Sequence, residues 1–543
     1  MSEPVRDAHA STADVPGARR HAEPATGTGE AGSVEPVRTV VQVRTLDLRL
    51  VPAAAAAWVA ALVVVRCGTT AALAVTAALT LGGLACALAG VRRRWGAVAA
   101  CSVRAVAALA LLTAACVVGA GAAQVDARGQ GMLPRLARAQ DEGVLVGRVV
   151  AEPRPLSAGW PGSAPRVRWA LDADRVTSDG RTSRARGQVL VVGPPSAVVV
   201  HGAVVQVEGE LRPATAGTRV VALMVSSSPA SARRPPRVWD ALATRVSHGV
   251  RSLADALPGD AGALLPGVTV GDTSRVPDEM TQAMRSAGLT HLVAVSGAHF
   301  ALVAALVLAT SAALRAPPRV QALATGGAVL AMLVLVHPEP SVVRAAAMGA
   351  VGVAGLAMGR PARSTAALAT AVVGLLVVDP WLAGEIGFAL SVAATAGIVL
   401  VGGPLAGRWS ARLGRGPAAA LAVPVAAQLA CGPLVLVVSG TVTPWGVVAN
   451  VVAAPAVAPA TLLGLAAALL EPWWPAAAAP VSAGAGAACW WIAAVARRCA
   501  ALPGAQLDWL PGPVGSLLLA AVSLAAARLL LAPTWRVGRL WQA

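Results

Sequence analysis

Three polar side chains lie in one of the most apolar stretches of this 543-residue sequence, HLVAVSGAHFALV at residues 291–303. His291 and His299 could transfer protons or donate hydrogen bonds, and Ser296 could donate or accept them. Such groups cost a few kcal/mol inside a bilayer, so they usually face a bundle interior or a wet cavity. On a helix Ser296 and His299 share a face, whereas His291 and His299 differ by about 80 degrees. They could line one cavity without being a chelating pair, or they could simply bond neighbouring helices.

Further polar residues accompany this segment through the second half of the sequence, whereas the early apolar runs are nearly free of them. Gly297, beside Ser296, permits close helix approach or a break where polar backbone lines a path. The other members are Asp272, Arg285, Arg344, Asp379, Glu385, Gln428 and Asn450. Arg344 could snorkel to the surface, and Asp379 and Glu385 could cap helix ends. The concentration of polarity after residue 270 predicts a permeation core in the second half.

The segment TVTPWGVVANVVAAPAVAPA, residues 441–460, mixes apolar and helix-breaking residues. Pro444, Pro455 and Pro459 interrupt a run that would otherwise be continuous helix, because proline removes a backbone hydrogen bond and clashes with the preceding turn. Asn450, the single asparagine of the chain, lies between them. A helix broken beside a water-lined path and a kinked packing helix both fit this pattern.

The elements that carry these residues are apolar runs long enough to cross a bilayer. The sequence is 56% hydrophobic and 13% charged, and its mean hydropathy is +0.66, a balance that is not typical of a soluble core. The runs lie at about 50–65, 71–90, 97–123, 289–313, 320–336, 342–358, 364–378, 385–402, 418–438, 446–470, 477–496 and 514–532. We therefore predict a mainly α polytopic membrane protein with about 12 transmembrane helices.

The arginines at 92–94, between the second and third runs, predict the orientation, since cytoplasmic loops accumulate arginine. The N-terminus is then cytoplasmic, with residues 1–45 as a disordered tail, residues 46–123 as N-terminal transmembrane helices and residues 533–543 as a C-terminal tail. The sequence contains no lysine, which excludes a lysine-containing phosphate-binding loop and Schiff-base chemistry. The seven cysteines lie in or beside apolar runs without metal-ligand spacing, so we expect no metal site and no cofactor.

Residues 124–237 contain few long apolar runs and many Pro and Gly residues. Three predicted membrane crossings precede them, which places them on the outer face. Short alternating segments separated by Pro and Gly predict five strands, at 142–152, 165–176, 187–193, 202–213 and 219–227. A small extracytoplasmic β-barrel of the OB type is the leading candidate. The segment has 16 Arg against 9 Asp and Glu, which suits a polyanion. Arg166, Arg168 and Trp169 are candidate DNA contacts. Alternatively, the arginine excess follows from genome composition and the barrel only spaces the helices. Residues 238–287 predict amphipathic, interfacial helices.

Several segments resemble the ComEC/Rec2 competence proteins, the inner-membrane channels through which bacteria import transforming DNA. The stretch GLTHLVAVSGAHFALV is similar to the family's G-x-x-H-L-[LV]-A-[IV]-S-G-x-H signature. GDTSRVPDEM, SVVRAAAMGAV, DPWLAGEIGFALSVAATAGIVL and VTPWGVVANVVAAP resemble further family segments, and the resemblance covers about residues 50–530. It implies a channel domain at 288–532 that passes single-stranded DNA across the plasma membrane. The channel would include Asp272, His291, Ser296, Gly297, His299, Arg344, Glu385, Ser391 and Asn450.

The sequence also departs from that family's pattern. Ala389 replaces a common glutamine, and Phe300 stands where a small aliphatic residue is usual. Many relatives carry a metallo-β-lactamase-like domain whose metal site needs an H-x-H-x-D-H cluster, and this sequence contains no H-x-H. We therefore expect no nuclease or other enzymatic activity in the chain itself. The resemblance implies a competence DNA receptor, a cytoplasmic ATP-driven helicase and a separate nuclease as partners, with membrane lipid around the helices.

Two other functions compete with DNA import. A small-solute or lipid transporter with an exported accessory domain would show the same spans and the same polar interior. A membrane enzyme could use His291, His299 and Asp272 for acid-base or metal chemistry, but the spacing of these residues does not exceed chance for a metal site. DNA import requires a basic conduit wide enough for a nucleotide chain, and neither the transporter nor the membrane enzyme requires one.

Overall fold

A computed structural model describes residues 48–66, 69–92, 98–156, 164–293, 295–336, 346–347 and 364–532. These residues belong to one unit, Leu46–Ala543. The predicted tails at 1–45 and 533–543, the predicted span at 342–358 and Arg344 lie outside the described residues.

Three apolar helices precede the β domain: α1 (Val51–Val64), α2 (Thr69–Arg92) and α3 (Val98–Gly129). Both α1 and α2 pack against α3. Trp58 of α1 stacks on Phe388 with ring centroids 4.7 Å apart. The indole N–H of Trp58 also donates to the carbonyl of Ala383 at 3.1 Å. The first helix is therefore held by a segment far along the chain.

The β domain contains the five predicted strands and two short additional ones. After the short helix α4 (Leu133–Ala139), the strands are β1 (Glu142–Pro155), β2 (Val167–Ser178), β3 (Arg181–Arg184), β4 (Gln188–Gly193), β5 (Val204–Pro213), β6 (Val220–Val225) and β7 (Ser231–Arg234). Pairing runs from β1 to β2, β4, β6 and β5, and β5 pairs again with β1. Only the β4–β6 pair is parallel in this circuit. The five long strands therefore form a closed circuit of hydrogen-bonded pairs.

The interior of this circuit follows from the alternation of side chains along each strand. In β2, Trp169, Leu171 and Ala173 are buried, while the residues between them point outwards. Strands β4 and β5 alternate in the same way and contribute valines and Leu211 to the same core. Gly147 of β1 permits close approach to β2, because a Cβ there would lie 2.2 Å from the carbonyl oxygen of Asp172.

A two-residue turn, Asp179 and Gly180, joins β2 to β3. Both residues have positive φ angles, 49° and 71°, as a type I′ hairpin turn requires. The turn fixes the register so that Arg175 lies directly opposite Arg184. The second predicted strand ends at residue 176, whereas β2 continues to Ser178, so this hairpin was not predicted.

Three helices lead from the β domain back to the membrane block: α5 (Val238–Asp255), α6 (Gly259–Val270) and α7 (Asp278–Ser286). A 3₁₀ turn (Thr290–Leu292) then precedes α8 (Gly297–Ala313) and α9 (Pro318–Val336). The remaining elements are α10 (Ser364–Val378), a 3₁₀ turn (Pro380–Gly384), α11 (Ile386–Gly397), a π turn (Ile398–Gly402), α12 (Gly403–Leu413), α13 (Arg415–Ser439), β8 (Thr441–Val442), α14 (Gly446–Leu470), α15 (Pro475–Ala500), β9 (Leu507–Asp508) and α16 (Gly512–Leu531).

The helices pack into two main groups around buried apolar residues. One core joins α5, α6 and α7 to α14 and α15, and the other joins α1 and α3 to α10 and α11. The predicted amphipathic face of α5 is visible in Ala243, Val246 and Val250, which are buried at helical spacing in the first core. Gly464 of α14 permits the contact with α6, because a Cβ there would lie 2.4 Å from the hydroxyl oxygen of Thr269.

Eight of the described helices are long and apolar enough to cross a membrane. Val51–Val64, Gly297–Ala313 and Thr365–Val378 are shorter apolar helices. The chain is therefore a multi-pass membrane protein, while the number of about 12 spans stays a prediction. The run predicted at 289–313 becomes helical only at Gly297, and the run predicted at 385–402 continues without interruption to Leu413.

Candidate functional site

The chain leaves helical geometry between α7 and α8, within the apolar run that contains the two histidines. Gly288, with φ of 67°, ends α7, and its left-handed conformation is one that glycine adopts without strain. The 3₁₀ turn Thr290–Leu292 follows, and helix α8 begins only at Gly297, with Ser296 as its extended N-cap residue. Leu289, Val293 and Val295 of this segment are buried. The non-helical backbone therefore lies within protein, as it must at membrane depth.

Ser296 and His299 form a capping box at the start of α8. The backbone N–H of Ser296 donates to Nδ1 of His299 at 3.0 Å, and the serine hydroxyl lies 3.1 Å from the same nitrogen. Because Nδ1 accepts a hydrogen bond, the neutral ring carries its proton on Nε2. The ring is 1% exposed, and its Nε2 has no hydrogen-bond partner among the described residues. His299 is thus an uncharged donor fixed in one tautomer and facing inwards.

Helices α13 and α14 complete a polar junction around Gly288. The amide of Asn450 donates to the carbonyl oxygens of Gly288 at 3.3 Å and of Gly446 at 2.7 Å. Gln428 of α13 donates to the carbonyl of Thr443 at 3.3 Å, and its side-chain oxygen would lie 3.1 Å from a Cβ at Gly446. Asn450 therefore joins the broken segment to α14, with Gln428 beside it. We use the name polar junction for Gly288, His291, Ser296, His299, Gln428, Gly446 and Asn450.

His291 is the exposed member of the polar junction. Its ring is hydrogen-bonded to the backbone of Gly288. Its side chain is exposed, whereas Leu292 and Val293 beside it are buried. His299 lies close enough to His291 for the two rings to interact electrostatically.

Two buried hydroxyls lie on helices that pack near α8. Thr269 of α6 and Thr461 of α14 are each 1% exposed, and neither hydroxyl has a partner among the described residues. Leaving a buried polar group unbonded costs about 1–3 kcal/mol. Together with Nε2 of His299, these groups are buried hydrogen-bonding atoms without a partner among the described residues. Sequence inspection passed over both threonines, because single threonines in apolar helices carry no distinguishing pattern.

Ser391 connects to the polar junction through α13. The thiol of Cys431 donates to the carbonyl of Leu390 at 3.4 Å, one residue before Ser391. Cys431 lies three residues after Gln428 and therefore on the same face of α13. The predicted residue Gly297 is exposed at the start of α8. The structure thus brings His291, Ser296, His299 and Asn450 to one region, with Gly297 at the start of α8, and leaves Ser391 one residue from a contact between α11 and α13.

Asp272 lies beside this region but is engaged elsewhere. Its carboxylate accepts a hydrogen bond from Nε of Arg251 at 2.7 Å and another from the backbone N–H of Ser274 at 3.0 Å. Burial raises the pKa of Asp272, but the bonds from Ser274 and Arg251 outweigh burial and leave the pKa below its usual range. Asp272 is therefore a charged anchor for α5, and not a free group on a path.

Glu385 does not join the polar junction, because it and Asp379 bind an arginine of the β domain. The guanidinium of Arg219, between β5 and β6, bonds the carboxylate of Asp379 and lies 3.3 Å from that of Glu385. Asp379 also accepts from the N–H of Trp381 and so caps the 3₁₀ turn. Arg128 of α3 lies 3.4 Å above the centre of the Trp381 ring. These charges attach the β domain to the membrane helices.

Arg219→Gln should weaken this attachment. The substitution leaves two partly buried carboxylates without their cation, so we expect a loss of about 1–3 kcal/mol in the free energy of unfolding. Thermal unfolding of the purified chain in detergent measures the loss. Arg212→Gln is the matched control, because Arg212 pairs with Glu210 at the surface of the same domain. An equal change in both variants would show that Arg219 has no special role.

The three residues predicted to contact DNA in the β domain differ in their placement. Trp169 is 3% exposed and packs in the core, so its ring is not available to stack on a base. Arg166 donates to the carbonyl oxygens of Ser226 at 2.9 Å and of Val192 at 3.3 Å, which makes it a link between strands. Arg168 is exposed and has no partner among the described residues. Only Arg168 is thus free to meet a ligand.

Asp172, on the outer face of β2, carries a perturbed acid group. Burial and the neighbouring Asp174 raise the pKa of Asp172, against the opposing effect of Arg128 and Arg148. Because the folded pKa exceeds the unfolded value, the charged form destabilises the domain at neutral pH, and the penalty disappears below about pH 4. Asp172→Asn should therefore raise the midpoint of thermal unfolding at pH 7 but not at pH 3.5. Asp141→Asn, at an exposed site, is the control, and a matching rise there would contradict the assignment.

The described residues contain no group of three His, Cys, Asp or Glu that could hold a metal ion. What the polar junction can do is bind and release by hydrogen bonding. It offers the uncharged Nε2–H donor of His299 and the exposed imidazole of His291 at a break in a helix. Such groups can replace the hydration of a polar or anionic molecule without holding it tightly.

Comparison with known proteins identifies a family for the region that contains the polar junction. Residues 268–535 match the family model described as Competence protein. A 153-residue stretch is also 29% identical to ComE operon protein 3 of Bacillus subtilis (strain 168). That stretch is 28% of this chain and 20% of the relative, so the chain matches about a fifth of the relative's length. No solved structure matches the chain.

Proposed function

We propose that the chain is a membrane channel that passes single-stranded DNA into the cytoplasm. Its match to the Competence protein family over residues 268–535 and its similarity to ComE operon protein 3 support a role in DNA uptake. The polar junction would lie on the path of the strand. A strand carries one negative charge per phosphate, so its passage requires polar groups that solvate it without binding it tightly. The uncharged Nε2–H donor of His299, which has no partner among the described residues, meets that requirement.

The break in the apolar run before α8 is the observation that carries this proposal. Irregular backbone at membrane depth is tolerated where it is buried in protein or lines a cavity. Beside the break, Nε2 of His299 is buried without a partner among the described residues, and the side chain of His291 is exposed. A polar path at the break would account for both. Arg344 remains a proposed member of this path.

We also propose that the β domain is an OB-like barrel on the outer face that receives the DNA. The closed circuit of five long strands supports this assignment, as does the parallel β4–β6 pair that closes it. OB folds bind oligonucleotides on one face of the barrel and in adjacent loops. The excess of arginine in residues 124–237 favours a polyanion over a small solute.

The orientation and the partners follow from the same proposal. The N-terminus would be cytoplasmic, and the chain would act in the plasma membrane without a cofactor or a catalytic step of its own. A DNA receptor outside, an ATP-driven helicase inside and a separate nuclease would deliver, pull and trim the DNA. The polar junction would form part of the path, and the helicase would supply the energy for transport.

Uptake of labelled DNA tests the proposal directly. We expect a deletion strain to bind labelled duplex DNA at the cell surface and to accumulate none of it in the cytosol. Complementation with the full chain should restore cytosolic label and transformation. Normal cytosolic label in the deletion strain would refute DNA import, and a simultaneous defect in solute uptake would favour a small-solute transporter.

A further inference from the structure

Two arginines face each other on the outer surface of the β2–β3 hairpin. Arg175 and Arg184 are directly opposite in the register, and both are exposed. Neither guanidinium group has a hydrogen bond or an ion pair among the described residues. Like charges directly opposite in a sheet are destabilising, so a ligand of opposite charge would relieve the repulsion. An anion between the two guanidinium groups would supply that compensation.

A β-bulge aims one of these arginines. The pairing of β1 with β2 shifts between Val146 and Gly147, so that Asp174 is an extra residue in β2. After the shift, Arg175 points outwards and Val176 points into the core. Bulges of this kind often re-aim a side chain next to a functional site. Without the bulge, Arg175 would be directed into the barrel.

The arginine pair borders a cleft of about 460 Å³. Arg175, Arg184 and Arg186 line it together with Asp172, Asp174 and Gly187. The three arginines exceed the two aspartates by one charge. Asp172 and Asp174 would repel an anion, so an anion held there would be held weakly. No aromatic side chain is among the lining residues, so the cleft offers charge and no platform for stacking on bases.

The cleft lies where the β domain joins the membrane helices. A Cβ at Gly187 would lie 3.7 Å from Cδ of Arg128 in α3, and a Cβ at Gly131 would lie 2.9 Å from the carbonyl oxygen of Arg184. Arg128 is the residue that stacks on Trp381, beside the attachment of Arg219. An anion in the cleft is therefore already close to the membrane block.

A second pair of arginines lies at the other end of the same strand. Arg168 of β2 is directly opposite Arg154 of β1. At about 3.3 Å per residue, Arg168 and Arg175 are roughly 20 Å apart along β2. Strand β2 therefore carries a paired positive charge at each end, which is a pattern that suits a linear polyanion.

We propose that Arg175, Arg184 and Arg186 bind the phosphodiester backbone of single-stranded DNA at this cleft, and the proposal rests on the function proposed above. Guanidinium groups recognise phosphate through two parallel hydrogen bonds, and two opposed guanidinium groups can hold successive phosphates. The contact carries no base specificity, because phosphates are the same at every position. The opposing aspartates allow the strand to move on.

Binding of a fluorescent single-stranded oligonucleotide to the full chain in detergent tests this site. The test variant is Arg175→Gln with Arg184→Gln, and the control is Arg135→Gln with Arg138→Gln. The control removes the same charge from two exposed arginines of α4. We expect the test variant to bind about tenfold more weakly near 0.15 M salt and to lose about 1.4 from the slope of log K against log salt, as two phosphate contacts predict. The control should change neither quantity by a similar amount.

The outcomes separate the cleft from the channel. No binding by the wild-type chain would contradict DNA import itself and leave the cleft without a ligand. If the wild-type chain binds the oligonucleotide, and the test and control variants reduce this binding equally or not at all, the proposed site at the cleft would be wrong. DNA import would not be contradicted by that result. Displacement of a fluorescent anionic lipid from the wild-type chain, without any effect of oligonucleotide, would assign the cleft to lipid headgroups and overturn the proposal. Asp172→Asn should tighten oligonucleotide binding, because it removes a repelling charge.

Discussion

His291→Ala should reduce transformation to the level of a deletion strain while leaving the amount of protein in the membrane unchanged. The side chain of His291 is exposed, so its removal would change the lining of the proposed path and leave the buried core intact. The measurement is transformation frequency together with an immunoblot of the membrane fraction. His248→Ala is the matched control, because His248 is an exposed histidine on α5. Wild-type transformation in His291→Ala would exclude this residue from the path.

Substitutions at Ser296 and His299 distinguish a role in lining the path from a structural role. Ser296→Ala removes the cap of α8 and one contact to Nδ1 of His299, at a cost of about 1 kcal/mol. His299→Gln keeps an uncharged donor in place of Nε2. If the junction acts through neutral donors, His299→Gln should transform better than His299→Ala at equal protein levels. Equal loss in both would show that the imidazole itself is required, and normal transformation in both would remove His299 from the path.

Gly147→Val should unfold the β domain. A Cβ at this position would lie 2.2 Å from the carbonyl oxygen of Asp172 and 3.0 Å from Cα of Ala173, and both are backbone atoms that cannot move aside. The clash separates β1 from β2 and opens the circuit of strands. We expect a loss of about 4 kcal/mol or more, at the severe end for single substitutions.

Hydrogen exchange followed by mass spectrometry measures this effect where it occurs. Peptides from residues 142–234 should lose protection in Gly147→Val, while peptides from α14 and α15 keep theirs. Gly129→Ala is the control, since a Cβ at Gly129 has nothing within 4 Å. Full protection of the β domain in Gly147→Val would contradict the prediction, because it would mean that the added side chain is accommodated without separating β1 from β2.

The strands of the β domain could be predicted from sequence because their information is local. Alternation places Val167, Trp169 and Leu171 on one face, so the burial of Trp169 could also have been predicted. A buried Trp169 cannot stack on a base. The Asp179–Gly180 pair is the strongest short hairpin signal. Counting back from it gives the opposition of Arg175 and Arg184, and the prediction missed this because it ended the strand at residue 176.

The positions of the helices could also be predicted from sequence, but the contacts between distant segments could not. Apolar runs predict where helices lie, and Gly297 beside Ser296 permits a break, but the run predicted at 289–313 becomes helical only at Gly297. Nothing local indicates that Glu385 meets Arg219, since the two residues are far apart in sequence and belong to different domains. Asn450 was singled out as a lone amide among prolines, but its bond to Gly288 depends on how α14 packs. Contacts between distant segments require the packed structure.

The bond from Trp58 to Ala383 sets an order for biogenesis. The two residues are 325 positions apart, so the first helix reaches the lipid long before its acceptor has been made. At about 5–20 residues per second, ribosomal synthesis leaves an interval of roughly 16–65 s. During that interval α1 has no final neighbour on this side and depends on α3 or on insertion factors. A ribosome that stalls before residue 383 would therefore leave a fragment with this face of α1 uncovered, which quality-control proteases could recognise.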